Sequence, residues 1–152
     1  MAWLQRNAWW GLIAMAAIIV LFGVTDVISG VAADPLIPLG LTGLTLAQLE
    51  AESANAYRLL DFVARAGGAN LVVIGLLMMG ILVFAFRRGE LWAWWAMWTL
   101  PAWAASAFML NLAYGVAPGQ APPPPMISGP IFAVVAAAIL LVSRPGRAPR
   151  RA

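Results

Sequence analysis

Residues 86–98, FRRGELWAWWAMW, decide the predicted topology of the chain. Two arginines and a glycine make a short basic turn between two long apolar runs, and four of the eight tryptophans follow within seven residues. Basic residues concentrate in the cytoplasmic loops of membrane proteins, and tryptophan concentrates at the membrane–water interface. The stretch therefore predicts a helical hairpin whose turn lies at the cytoplasmic face. The predicted orientation anchor consists of Arg87, Arg88, Glu90, Trp92 and Trp95.

The composition is that of an integral membrane protein. Of the 152 residues, 63% are hydrophobic and only 10% are charged, whereas a soluble domain carries about 25% charged residues. Too few polar side chains are present to cover a water-facing surface, so the apolar surface must face lipid. We expect a single integral membrane domain over residues 1–152, with the lipid bilayer as its partner.

Several classes of chemistry are missing from the sequence. The chain has no cysteine, which excludes disulfides, thiolate metal sites and cysteine nucleophiles, and no histidine, the commonest general base and metal ligand. All nine basic residues are arginines, and they sit at the ends of apolar segments. That placement indicates membrane orientation rather than nucleic-acid binding. We therefore expect no cofactor, no metal, no catalytic residue and no nucleic-acid partner.

Four apolar runs predict an all-α fold, a four-helix transmembrane bundle. About 20 apolar residues cross the hydrocarbon core of a bilayer. The predicted spans cover about 8–31, 66–86, 91–114 and 128–143, and a basic tail follows at 144–152. The first run could instead be a signal peptide cleaved after Ala33, but it is longer than the usual apolar region of such peptides.

The segment between the first two spans is predicted to lie outside the membrane. Residues 34–43 are interrupted by proline and glycine and predict an irregular connector. An outer amphipathic segment follows over residues 45–65, beginning with a capping box formed by Thr45 and Gln48. Ser53 is expected to cap a second helical start within this segment.

Prolines predict two further local features. Pro101 lies near the middle of the third predicted span and predicts a kink, with Thr99 close enough to bond the freed backbone. The four prolines at 122–125 predict a short polyproline II segment, and Pro130 is expected in the first turn of the fourth span.

The distribution of arginines predicts the orientation of the four spans. Seven arginines fall at the N-terminus, the basic turn and the tail, whereas only Arg58 and Arg65 fall on the opposite side. The positive-inside rule then places both termini in the cytoplasm.

A set of polar residues is expected near the outer ends of the spans. At a rise of about 1.5 Å per residue, all of them fall in the outer quarter of the membrane or at its rim. Asp26 is expected to face the bundle and to pair with Arg65, because an aspartate facing lipid is costly. The predicted cluster consists of Asp26, Asp61, Arg65, Asn70, Asn111 and Tyr114.

Two interpretations of this cluster stay open. It could be an ion-pair cap that fixes the register of the first two spans. It could instead be a small polar pocket for a headgroup, a quinone or a small solute; a third alternative is that these residues simply lie in water. The tryptophans at the other end favour an aromatic belt over a pigment- or lipid-stacking site.

Two short motifs resemble those of a known group of proteins. Residues 84–95, FAFRRGELWAWW, and residues 40–45, GLTGLT, are similar to segments of small four-helix membrane proteins of GC-rich bacteria that have no assigned activity. A looser similarity exists to the DoxX-like four-helix group. The resemblance implies a multi-pass integral protein of a bacterial inner membrane and carries over no functional residue.

Two functional expectations follow. The first is a structural or accessory membrane subunit that packs against a larger membrane complex or against itself as a homo-oligomer. The second is a protein that binds or transports a small solute, quinone or lipid through the outer polar cluster. An enzyme is the least favoured class, because the only acid–base candidates are Asp26, Asp61, Glu90 and Tyr114.

Overall fold

The computed structural model describes residues 2–144, with side chains from residue 7 onward. The chain is all-α, as predicted, and 84% helical. Seven α-helices and two 3₁₀ turns follow one another in the described part. They are α1 (Ala2–Ser29), a 3₁₀ turn (Gly30–Ala33), α2 (Leu36–Thr42), α3 (Leu46–Glu52), α4 (Ala54–Phe84), a 3₁₀ turn (Phe86–Arg88), α5 (Leu91–Ala96), α6 (Thr99–Tyr114) and α7 (Pro124–Val142).

Three helical segments are long and apolar enough to cross a membrane. They are Asn7–Ala33, Ala54–Arg88 and Pro124–Val142. The third predicted span, 91–114, is divided into the six-residue α5 and the 16-residue α6. The predicted tail beyond Arg144 and the side chain of Arg6 lie outside the described residues.

The break between α5 and α6 confirms the predicted kink and has the predicted cause. Pro101 has no N–H, and its ring would clash with the carbonyl of Met97 in a straight helix. The helix stops at Ala96, and the Met97 carbonyl instead accepts a 3₁₀-type bond from the Leu100 N–H at 3.1 Å. The Thr99 hydroxyl donates to the Ala96 carbonyl at 2.8 Å, which satisfies a second backbone group at the break.

Helices α1 and α4 pack antiparallel, and glycines allow their backbones to approach closely. A Cβ on Gly68 would lie 2.7 Å from the carbonyl oxygen of Gly23, and a Cβ on Gly23 would lie 2.6 Å from that of Gly68. Two turns further along, a Cβ on Gly75 would lie 3.1 Å from the carbonyl oxygen of Ala16. Small residues at such positions are the usual means of close helix packing in membranes.

Helices α6 and α7 form a second close pair, and α7 also packs on α1. Gly129 of α7 sits against the Ala104 carbonyl of α6, and the rings of Trp103 and Phe132 meet edge to face at 6.2 Å between centroids. The side chain of Ile139 packs on Gly11 of α1. In contrast, α4 and α6 have no comparable close packing within the described chain.

The buried core lies toward one end of this arrangement. We call the end that carries Arg87, Arg88 and Arg144 the arginine end, and the end that carries α2 and α3 the connector end. Helices α1, α4, α6 and α7, with the break residue Met97, all contribute fully buried side chains to one cluster near the arginine end. The largest of these are Leu12, Ile19, Leu82, Met97, Leu100 and Leu140.

The connector contains more helix than predicted. Residues 34–43 were expected to be irregular, but α2 forms there because Pro35 precedes the helix and Pro38 lies in its first turn. Backbone N–H groups in a first turn have no partner within the helix, so proline is tolerated at these positions. The capping box of Thr45 and Gln48 and the cap at Ser53 are both confirmed.

The last helix begins earlier than predicted. Pro124 and Pro125 form the first turn of α7, and the residue before them, Pro123, has a polyproline-like backbone with φ −57° and ψ 148°. The reason is again that proline suits a first helical turn. Pro130 consequently lies inside α7 rather than at its start.

Candidate functional site

A cavity of about 520 Å³ lies at the connector end, between α1, α4 and α6 and beneath α2 and α3. Leu71 of α4 and Trp103 of α6 line the cavity, and Pro38 of α2 and Leu49 of α3 line its connector side, which we call the roof. We call this space the connector-end cavity. Its volume falls within the range of about 300–1,000 Å³ that is usual for small-molecule sites.

The cavity exists because the bundle closes at one end only. The core side chains fill the space between the helices toward the arginine end, whereas α4 and α6 do not pack together at the connector end. The roof is held in place by the chain between α6 and α7. The Ala117 N–H donates to the Gly40 carbonyl at 2.8 Å, and Pro123 lies so close to Gly40 that a Cβ there would be 2.8 Å from its ring.

The lining of the cavity is apolar apart from three residues, Asp26, Asp34 and Thr42. The Thr42 hydroxyl already donates to the Pro38 carbonyl at 2.7 Å. Burial raises the pKa of the Asp34 carboxyl, although a hydrogen bond from the Leu36 backbone N–H partly opposes this shift. The two aspartates therefore carry the charge of an otherwise apolar space.

Asp26 does not form the predicted ion pair with Arg65. Arg65 Nε instead donates to Asp61 Oδ2 at 2.8 Å, one helical turn away on α4. The Arg65 Nη1 atom donates to the backbone carbonyls of Val27 and Ile28 at 2.7 and 2.9 Å. Asp61 Oδ1 accepts the Val31 N–H at 3.1 Å. We call Arg65 and Asp61 the α1 clamp, because together they bond the end of α1.

The remaining members of the predicted cluster do not join this site. Asn70 is exposed on α4, and Tyr114 at the end of α6 is 80% exposed. The Asn111 amide donates to the Ala107 carbonyl of its own helix at 2.9 Å. The structure thus separates the predicted cluster into Asp26 in the cavity, the α1 clamp beside it, and three residues elsewhere.

Two lining residues were missed in the sequence analysis. Asp34 had been placed in the connector without a role, and its position eight residues after Asp26 was the available signal. Trp103 was not singled out, although it lies five residues beyond the last tryptophan of the stretch 86–98. It packs on Phe132 and lines the cavity.

The orientation anchor lies at the arginine end. Trp92 and Trp95 are 57% and 60% exposed, as an aromatic belt requires, while Arg87 lies over the Trp9 ring at 5.3 Å. Glu90 occupies the N-cap position of α5 with an extended backbone. Its side chain makes no capping hydrogen bond, and among the described residues it has no ion-pair partner.

Trp94, between the two exposed tryptophans, is buried. Its indole N–H donates to the Leu140 carbonyl in the last turn of α7 at 2.8 Å. The Arg144 guanidinium lies over its ring at 5.7 Å from the centroid. Trp94 therefore joins the ends of α5 and α7.

Within residues 2–144 no group of three carboxylates is placed to hold a metal ion. No protein-family model, curated protein or solved structure matches the chain.

Proposed function

We propose that the chain is a four-span integral protein of a bacterial inner membrane with both termini in the cytoplasm. Three spanning helices support this, and α5 and α6 together supply 22 residues in the place of the fourth span. Arg87, Arg88 and Arg144 lie at one end, which the positive-inside rule assigns to the cytoplasm.

Cysteine labelling tests this topology, because the natural chain contains no cysteine. We would place single cysteines at three exposed positions: Glu52 and Pro118 at the connector end, and Arg88 at the arginine end. In intact cells a membrane-impermeant maleimide should label Glu52→Cys and Pro118→Cys, and should label Arg88→Cys only after permeabilisation. Protection of Pro118→Cys alone would mean that α5 and α6 do not cross the membrane.

We infer that the protein binds a compact organic cation with an apolar body in the connector-end cavity. The observation that carries this inference is an apolar cavity of about 520 Å³ whose only charged lining residues are Asp26 and Asp34. Both aspartates are half-buried, and a carboxylate partly removed from water is unfavourable without a counter-charge, so a cation would be attracted and an anion repelled. The apolar walls and Trp103 would hold the body of the ligand.

Binding is favoured over transport by the position of the core. Below the cavity, Leu82, Leu100 and Leu140 are fully buried and fill the space toward the arginine end. A ligand would meet closed packing there rather than a path. The structural or accessory subunit stays a prediction, since no feature of the described surface separates a protein-facing side from a lipid-facing one.

Two ions of the same shape and opposite charge provide the test. Binding of tetraphenylphosphonium and of tetraphenylborate to the purified full-length protein in maltoside micelles would be measured by equilibrium dialysis. We expect one phosphonium ion to bind per chain, and the borate to bind at least tenfold more weakly. Equal binding of both ions would show partition into apolar surface and would contradict the proposal.

Three variants locate the binding. Asp26→Asn is expected to weaken phosphonium binding, whereas Glu50→Gln, an exposed carboxylate outside the cavity, should leave it unchanged. Gly67 lines the cavity, and a Cβ there would meet no atom within 4 Å. Gly67→Leu should therefore occupy the cavity and abolish binding without lowering the melting temperature. Unchanged binding in Gly67→Leu would place the ligand elsewhere.

A further inference from the structure

The arginine end of α4 carries a second groove that the proposed function does not use. Val83, Phe84, Arg87 and Arg88 line an open space of about 450 Å³ at the end of the helix. Phe84 is 69% exposed, and both arginines are exposed. The groove thus combines apolar surface with two positive charges.

Neither arginine is neutralised by a carboxylate within the described chain. The one ion pair there is that of Arg65 and Asp61, at the opposite end of the molecule. Arg87 lies over the Trp9 ring, which orients its guanidinium but supplies no counter-charge. Two adjacent guanidinium groups are therefore available to bind an anion, and guanidinium groups suit the oxygens of a phosphate.

The apolar surface continues from the arginines along the same helix. Val73, Leu77, Gly80 and their neighbours line a second groove of about 430 Å³ on α4. Gly80 forms a notch in this surface, because a Cβ built on it would meet no atom within 4 Å. From Phe84 back to Val73, α4 rises about 16 Å, close to the thickness of one leaflet's hydrocarbon, about 15 Å.

We propose that this face of α4 binds one anionic phospholipid. The phosphate would lie between Arg87 and Arg88, and one acyl chain would run past Phe84 into the notch at Gly80. The two positive charges of Arg87 and Arg88 favour an anionic lipid over a zwitterionic one. The long, shallow and irregular groove fits a flexible acyl chain, whereas a free phosphate would use the arginines alone.

Native mass spectrometry of the full-length protein in a non-ionic detergent tests the site. Phosphatidylglycerol and phosphatidylcholine with identical acyl chains would be titrated in turn. We expect one phosphatidylglycerol to be retained per chain in preference to phosphatidylcholine. The double variant Arg87→Gln/Arg88→Gln should lower the affinity for phosphatidylglycerol about tenfold. Arg58→Gln, which removes an exposed arginine at the connector end, should leave it unchanged; equal losses in both variants would overturn the site.

Two further measurements show whether the groove binds a lipid or a soluble phosphate. Gly80→Trp fills the notch and should weaken binding of long-chain phosphatidylglycerol severalfold while the melting temperature is maintained. Glycerol phosphate at millimolar concentration should not displace the lipid. Unchanged binding in Gly80→Trp, or displacement by glycerol phosphate, would contradict a lipid site. Because this groove lies at the other end of α4 from the connector-end cavity, its failure would not affect the proposed cation binding.

Discussion

Arg65 and Asp61, one turn apart on α4, are joined at 2.8 Å and together bond the end of α1. Arg65 donates to two of the last carbonyls of α1, those of Val27 and Ile28. Asp61 accepts the N–H of Val31, which lies just after the end of α1. The final carbonyls and the following N–H groups at a helix end have no partners within the helix. The α1 clamp supplies those partners from a neighbouring helix, and through its bond to the Val31 N–H it holds a residue that lines the connector-end cavity.

Removal of the arginine of the clamp is expected to destabilise the protein moderately. Arg65→Ala leaves the carbonyls of Val27 and Ile28 without their donor, and each exposed charge-assisted bond of this kind contributes on the order of 1 kcal/mol. The melting temperature in micelles, followed by tryptophan fluorescence, should fall by about 4–6 °C. The matched variant Arg58→Ala, an exposed arginine two turns earlier, should change it little. Equal effects would mean that charge alone, and not the clamp, stabilises this end.

Two adjacent glycines on α4, Gly67 and Gly68, are expected to differ in how much their replacement by alanine changes the stability of the protein. Gly68→Ala would press a methyl group against the backbone of Gly23, and we expect it to separate α1 from α4 and to destabilise by about 1–3 kcal/mol. Gly67→Ala meets no atom within 4 Å and should be neutral or stabilising by up to about 1 kcal/mol, because alanine favours helix. Urea or thermal unfolding of the two variants side by side would measure the difference. A loss of stability in Gly67→Ala as large as that in Gly68→Ala would contradict the close contact.

The buried tryptophan at the arginine end is expected to matter more than its exposed neighbour. Trp94→Phe removes the donor to the Leu140 carbonyl and part of a buried ring, so we expect a loss of about 2–3 kcal/mol. Trp95, which is 60% exposed, should tolerate phenylalanine with a change below about 0.5 kcal/mol. Thermal unfolding of both variants checks the prediction. Similar losses in the two would show that the indoles act through the membrane interface and not through the bond to α7.

Asp34 is expected to make stability depend on pH. Burial raises the pKa of its carboxyl above the ordinary value of 3.8, so the folded protein holds this proton more tightly than the unfolded chain. The resulting stabilisation is present below the unfolded pKa and is lost as the pH rises through the folded pKa. Asp34→Asn, which keeps an oxygen for the Leu36 N–H, should therefore be more stable than the natural chain at neutral pH. The difference should vanish at about pH 3, where the carboxyl is protonated in both states; a constant difference would exclude this cause.

Much of the helical structure was predictable, because it depends on local residue patterns. The capping box at Thr45, the second start at Ser53 and the break caused by Pro101 each follow from interactions within a few residues. Where local rules allow two outcomes, the predictions were wrong: proline both breaks helices and begins them, and α2 and α7 use it in the second way.

The site was less predictable, because it depends on which helices are neighbours. A depth estimate placed Asp26 and Arg65 at similar levels, but the local partner Asp61 and the free carbonyls of α1 compete for the same guanidinium. No pattern in the sequence states that α4 and α6 stay apart at the connector end. Asp34 and Trp103 become lining residues only through that separation.

The two close helix pairs also bear on how the protein is made. The pair of α1 and α4 lies wholly before Gly89, and the pair of α6 and α7 lies wholly after it. Each half of the chain therefore carries its own packing partner as it leaves the ribosome, and the first pair can assemble before the second is synthesised. We therefore expect that the chain can be divided at Gly89 and expressed as two separate fragments. These fragments should reassociate in the membrane through the contact between α1 and α7 and the shared core at the arginine end.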